Sequence, residues 1–287
     1  MTYREAMELG EKILGKADIE DAKNDAWLLL AMACKIDHTY YYMHMDEEMG
    51  EEQFREFESV IKKRSERVPL QYITGEQEFM GLTFHVNSHV LIPRQDTETL
   101  VEAALRQIRP GMKIMDMCTG SGCVLISILK HSHGVTGFGY DISKQALKCA
   151  KENARFNDVP AVFEKSNLFE DVMERDFDMI VANPPYIPTD EIMTLMPEVS
   201  QFEPVSALDG HEDGLFFYRE MIRRCADYLK PDGYVFFEIG FDQGEAVSAM
   251  LREAGYEDVR IMQDLAHKDR VVSACFKGGQ QEAAENA

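Results

Sequence analysis

Asn183-Pro184-Pro185-Tyr186 follows the apolar run Phe177 to Ala182, and its residue types can do chemistry. Two consecutive prolines remove two backbone donors and fix two φ angles, so the segment cannot continue a sheet ladder and must stand as a rigid turn at a strand end. The side-chain amide of Asn183 and the carbonyl of Pro184 supply two fixed acceptors at one place. Two acceptors hold both hydrogens of an –NH2 group and orient its nitrogen, with Tyr186 available as a flat wall for a planar amide or base. Alone, the four residues also read as a plain proline turn.

Two further clusters stand at predicted strand ends. In "DMCTGSG", Asp116 to Gly122, an acid precedes a loop of small residues and then a helix. Gly120 and Gly122 let backbone approach a ligand closely, and the helix start offers free N–H groups to a carboxylate. A dinucleotide fingerprint would want a third glycine where Leu125 stands. Asp141 lies 19 residues beyond Gly122, the spacing at which an acid meets ribose hydroxyls. Taken singly, the loop is equally a tight strand-to-helix turn and Asp141 a helix cap. Together they point to a nucleoside-bearing ligand without a pyrophosphate.

S-adenosylmethionine fits all three clusters: a ribose for Asp141, a carboxylate for the glycine loop, and a sulfonium methyl open to in-line attack. An amide nitrogen is a poor nucleophile because its lone pair is delocalised. Accepting its two hydrogen bonds stabilises the positive charge that grows on nitrogen, an effect strongest in the transition state.

The elements that must position these residues follow from periodicity. Short apolar strands at 113–117, 135–140, 161–165, 177–182 and 234–239 alternate with helices at 124–130, 144–156, 215–229 and 245–254. This alternation predicts βαβ crossovers and a doubly wound α/β sheet, closed by an antiparallel pair at 258–264 and 270–277. Residues 1–70 read as an all-helical N-terminal unit, with a capping box at Thr2 and Glu5 and one apolar face carrying Ala22, Ala26, Leu29 and Leu30. Residues 71–92 read as a β-hairpin linker, 93–277 as the sheet domain, and 278–287 as a disordered tail.

Composition narrows the classes. A formal net charge of -21, from 30 Lys+Arg against 51 Asp+Glu, argues against stable nucleic acid binding and favours a protein or small-molecule partner. The six cysteines have no C-x-x-C spacing and the eight histidines no ligand pattern beyond His131 and His133, so free thiols and no metal are expected. No apolar run approaches the roughly 20 residues that cross a bilayer, so the expectation is a cytoplasmic protein that does not engage a membrane.

"DMCTGSG", "YDIS", "VANPPYI" and "LIPRQDTETL" resemble the protein N5-glutamine methyltransferases of the HemK/PrmC family, which modify peptide chain release factors. The likeness extends to "PLQYITGEQEFMGLTFHVN", "QFEPVSAL" and "DLAHKDRVV". It implies a helical substrate-docking domain joined to a seven-stranded, Rossmann-like, S-adenosylmethionine-dependent methyltransferase domain, with the glutamine of a Gly-Gly-Gln loop as acceptor and S-adenosylhomocysteine as product. By position it makes Cys118, Thr119, Gly120, Ser121 and Gly122 the loop around the methionine end and Asp141 the ribose acid. Asn167 and Leu168 would flank the adenine, and Asn183, Pro184, Pro185 and Tyr186 would grip the glutamine amide, with Asn183 also counted among the residues that meet the cofactor. Three positions depart from the family pattern: Cys118 replaces a frequent glycine, Gln95 a proline and Asn167 an aspartate. Two alternatives stay open, an acceptor on a ribosomal protein or nucleic acid base, and a non-catalytic nucleoside-binding module. The tail also spells Gly278-Gly279-Gln280, the acceptor tripeptide itself.

Overall fold

A computed structural model describes residues 1–278. The chain divides into two compact units, residues 1–76 with 196–202 and the remainder. Gly279 and Gln280 of the tail tripeptide, and the expected disorder from there on, lie outside the described residues.

The first unit is helical: α1 (Tyr3–Lys16), α2 (Ala22–Cys34), α3 (His38–His44), α4 (Glu51–Ser65) and α5 (Leu70–Thr74). Thr2 caps α1 as predicted, its hydroxyl accepting from the Glu5 N–H at 3.2 Å while the Glu5 carboxylate accepts from the Thr2 N–H at 2.9 Å. The apolar faces close over Leu14, Ala26, Leu29, Leu30, Phe57 and Ile61. Arg64, buried in α4, ties this unit to the later stretch that joins it: it donates to Asp25 at 2.7 Å and to Glu198 at 2.9 Å. Arg67 holds the second oxygen of Glu198 at 2.7 Å.

The second unit opens with strands β1 (Glu76–Phe79) and β2 (Leu82–His85), joined by Met80 and Gly81 at positive φ. A two-residue turn with both φ angles positive matches the twist of its strands. The first residues of the expected hairpin, 71–74, are helical and belong to α5.

Then come α6 (Glu98–Leu105), β3 (Lys113–Met117), α7 (Cys123–Lys130), β4 (Thr136–Asp141), α8 (Lys144–Phe156), β5 (Val162–Lys165), β6 (Phe177–Ala182), α9 (Pro197–Ser200), α10 (Phe216–Cys225), β7 (Leu229–Glu238), α11 (Gly244–Glu253), β8 (Glu257–Gln263) and β9 (Asp269–Phe276). Among these, α9 falls in the stretch that joins the helical unit. The seven main strands lie in the order β5-β4-β3-β6-β7-β9-β8; β8 and β9 form the closing antiparallel pair that the sequence predicts, and β9 is antiparallel to β7 as well. Neighbouring residues alternate between faces: Ile114, Met179 and Phe236 enter the core beside α6, α7 and α8, while Met115, Ile180 and Phe237 enter the core of α10 and α11.

One boundary differs from expectation. The helix read over 215–229 ends at Cys225, and the strand read from 234 begins at Leu229. Leu229 pairs with Phe177, the next pair is Tyr234 with Met179, and Lys230 to Gly233 bulge between them. Pro231 cannot donate to a ladder and Asp232 sits at φ 63°, so a strand passing through this segment hides its own pattern.

The chain runs outward from β3 through β4 to β5, then returns to the other side of β3 as β6. Connections diverge between β3 and β6, and this switch point leaves a crevice beyond the carboxyl ends of the strands.

Candidate active site

A cavity of about 550 Å³ fills that crevice. Cys118, Thr119, Gly120, Ser121, Asp141, Asn167, Leu168, Asn183 and Pro185 line it, so residues from four strand ends converge in one place. Gly122, Pro184 and Tyr186 are not among the lining residues. Gly122 heads α7 at φ 79°, Pro184 is buried, and Tyr186 sends its hydroxyl towards Glu238 at 3.3 Å.

The loop after β3 is shaped by backbone at positive φ, with Cys118 at 61°, Gly120 at 55° and Gly122 at 79°. An added Cβ on Gly122 would stand 2.9 Å from Ile126 and 3.1 Å from Ala150, whereas one on Gly120 would meet nothing within 4 Å. The two glycines therefore answer different needs, close packing of α7 at one and an open approach at the other. Asn153 braces the loop from behind, donating to the Ser121 carbonyl at 2.9 Å and accepting from the His85 N–H at 2.7 Å.

Asp141 stands at the end of β4 with its carboxylate fixed by two backbone donors, Gly120 at 2.9 Å and Ser143 at 2.8 Å. Burial raises its pKa, and these donors oppose the rise. Two lone pairs remain per carboxylate oxygen less the bonds already made, so Asp141 keeps capacity for further donors. Asp116, at the end of β3, accepts from the Thr119 hydroxyl at 2.6 Å. Burial pushes its carboxyl up to about 7 against that bond, and the Asp141 charge adds to the rise. Asn167 donates to Glu170 at 3.0 Å, and Leu168 turns the chain at φ 47°.

At the end of β6, the Asn183 side-chain nitrogen donates to the Thr97 hydroxyl oxygen at 3.3 Å. The Tyr186 carbonyl accepts from Gln243 at 2.9 Å, and Ile187 exchanges hydrogen bonds with Leu208 at 3.0 Å and Gly210 at 2.8 Å. Gly210 and Gly214 press against Tyr186 so closely that an added Cβ would lie 2.8 Å and 2.3 Å from its backbone. Arg94 grips the buried Glu203 carboxylate through both oxygens at 2.7 Å.

Sequence reasoning missed Thr97, Glu203, Glu238 and this glycine pair as parts of the site. Glu238 did leave a signal, an acid at the end of the apolar run "YVFFE", which is one more strand end beside the four whose residues line the cavity. Among the described residues no His, Cys, Asp and Glu group could hold a metal ion, and no helix is long and apolar enough to cross a membrane. All six cysteines are free.

Comparison with known proteins adds an independent line. A family model described as the PrmC N-terminal domain matches residues 5–75, and one described as the methyltransferase small domain matches residues 94–197. A release factor glutamine methyltransferase of Clostridium botulinum is 39% identical over 280 residues, covering 96% of this chain and 99% of its own. That of Geobacter sulfurreducens is 37% identical over 271 residues, covering 94% and 95%. Among solved structures, a methyltransferase from Pyrococcus furiosus superposes with a TM-score of 0.53 at 17% identity, over 69% of this chain and 90% of that one. At that identity the likeness is one of fold.

Proposed function

The chain belongs to the release factor glutamine methyltransferase family, and we propose that its strand-end cavity is where a methyl group passes from S-adenosylmethionine to the side-chain amide nitrogen of a release-factor glutamine. The bound cofactor would supply an electrophilic methyl on a sulfonium centre. The residues present suit it. Asp141 is pre-oriented by two backbone donors and keeps lone pairs for ribose hydroxyls, Gly120 leaves open space at the loop, and Asn167 and Leu168 stand at the next strand end for the adenine.

The observation that carries the acceptor assignment is the orientation of Asn183. Its nitrogen is engaged by Thr97, which leaves its oxygen as the free acceptor at the cavity it lines. With the Pro184 carbonyl it accepts both hydrogens of a primary amide, holds the nitrogen still, and stabilises the charge developing there. No base is needed before transfer, because the nitrogen sheds its proton only after the new N–C bond has made it acidic. Tyr186 and the segment 208–214 behind it hold this turn rigid. Release factors act in the cytoplasm, and the proposal places the enzyme there with them.

The test is mass spectrometry of a release factor incubated with this protein and S-adenosylmethionine, beside a release factor whose Gly-Gly-Gln glutamine is changed to alanine. One added methyl on the first and none on the second is the expected result. No methyl on either, with cofactor binding demonstrated, would overturn the acceptor assignment.

A further inference from the structure

Glu238 closes β7 and is 1% exposed, yet it does not line the cavity. It meets Tyr186 of the acceptor turn directly, and it faces Thr97, the residue that Asn183 of the same turn bonds. Its Oε1 accepts from the Tyr186 hydroxyl at 3.3 Å, and the Thr97 hydroxyl faces the same carboxylate. Its other oxygen, Oε2, is buried and meets no donor in full hydrogen-bond geometry. Burial raises the pKa of this carboxyl, and the Thr97 hydroxyl is the largest of the influences that oppose the rise. Thr97 is itself 2% exposed.

The direction of each bond now follows from what each group can do. Above about pH 7, where the Glu238 carboxyl is ionised, it only accepts, so both hydroxyls must donate to it. A threonine hydroxyl has one proton, and once that proton points at Glu238 its oxygen can only accept. The amide of Asn183 has a donor end and an acceptor end, and it meets Thr97 Oγ1 at 3.3 Å with the donor end. Its oxygen is thereby turned away from Thr97. We propose that Glu238 and Thr97 are positioning residues that fix the rotational state of the Asn183 amide, so that its oxygen and not its nitrogen faces the acceptor.

A flipped amide would present two hydrogens to a substrate –NH2, donor against donor, and would oppose the charge that develops on nitrogen. The effect belongs to the transition state more than to binding, so it should fall on kcat. The proposal rests on Asn183 being the acceptor grip, and the variants below separate its failure from the failure of that reading.

Full-length Glu238→Gln, Thr97→Val, Thr97→Ser and Asn183→Ala proteins are compared for turnover on a release factor and for S-adenosylmethionine affinity by equilibrium dialysis. Glu238→Gln, which can donate as well as accept, and Thr97→Val, which keeps shape without a hydroxyl, should each lower kcat by about 10-fold to 100-fold. KM and cofactor affinity should stay within about threefold, and Thr97→Ser should recover most of the turnover. In 15N-labelled protein without cofactor, the Asn183 side-chain amide pair is assigned by its loss in Asn183→Ala. Its bonded-proton shift should persist in Thr97→Ser and vanish in Thr97→Val. Unchanged turnover in Glu238→Gln, or a Thr97→Ser as impaired as Thr97→Val, would overturn the positioning role. Full turnover in Asn183→Ala would instead overturn the acceptor reading beneath it.

Discussion

Asn183 and Gly122 set different kinds of limit on this site, one chemical and one steric. In the role proposed for it, Asn183 is an acceptor that works hardest when nitrogen carries positive charge, so in Asn183→Ala turnover should fall by about 100-fold or more while cofactor affinity holds, because Asp141 and the 118–122 loop are untouched. Single-turnover rates set beside equilibrium dialysis read the two effects separately. In the loop, Cys118 occupies a left-handed conformation at φ 61° that costs a non-glycine residue about 1–2 kcal/mol, whereas glycine would lose about 0.5–1 kcal/mol of chain entropy on folding. Some packing of the thiol against the core is also lost, so Cys118→Gly should leave stability within about 1 kcal/mol of the parent. Gly122→Ala has no such compensation: its Cβ meets Ile126 at 2.9 Å and Ala150 at 3.1 Å at φ 79°, and a loss of about 2–3 kcal/mol is expected in urea unfolding. The meeting of Asn183, Gly120 and Asp141 in one cavity was legible in the sequence because each stands where an apolar strand period stops. Thr97 and Glu238 were not, since they meet only through the pairing of β6 with β7 and the packing of the turn before α6.

Among the elements, β6 ends where the pattern of the sheet stops, and what holds its turn is irregular backbone. Ile187 and Asp209 form a single parallel bridge, Gln243 reaches from the start of α11 to the Tyr186 and Gly214 carbonyls at 2.9 Å and 3.3 Å, and Gly214 sits at φ 70° against the Tyr186 oxygen. A Cβ at Gly214 would stand 2.3 Å from that oxygen, closer than any real contact, so the turn rather than a flexible side chain must yield. Gly214→Ala should therefore cut turnover by about 100-fold through displacement of the acceptor grip, with cofactor affinity within a few fold. Equal loss of cofactor affinity would mean that β3 and β4 had moved too. The strands and helices of the sheet unit were readable because each repeats a period of 2 or 3.6 over its length. The segment between β6 and α10 has no such period, and its role is carried by backbone bonds that any sequence could make. The same limit hid the start of β7, where the bulge at Lys230 to Gly233 interrupts the pairing, and the seven residues 196–202 that join the helical unit by way of Glu198.

For the whole molecule, the net charge of -21 and two buried acids act in the same direction. Asp116 and Glu238 are both pushed up to about 7 by burial, against Thr119 at the first and Thr97, Arg270 and Tyr186 at the second. Unfolded carboxyls release their protons near 4, so between about 4 and about 7 the folded chain binds more protons than the unfolded one and stability falls as pH rises. The acids whose pKa is lowered, such as Asp213 at about 2 beside Arg219, act in the opposite sense but only below that window. Self-repulsion among so many carboxylates also favours protonation of the compact state. The melting temperature should therefore be higher at about pH 5.5 than at about pH 8, and Glu238→Gln should flatten the difference because its amide does not titrate. Salt divides the two contributions. At about pH 8 it screens surface repulsion and should raise the melting temperature, but it cannot reach the buried pair, so the contrast between parent and Glu238→Gln should survive in high salt. The same acidic surface, meeting a release factor that handles ribosomal RNA, should speed encounter, so kcat/KM should fall with ionic strength while kcat stays level. Opposite salt signs in melting and in kcat/KM would locate both effects in one surface field, and a kcat/KM indifferent to salt would leave the acidity with no part in recognition.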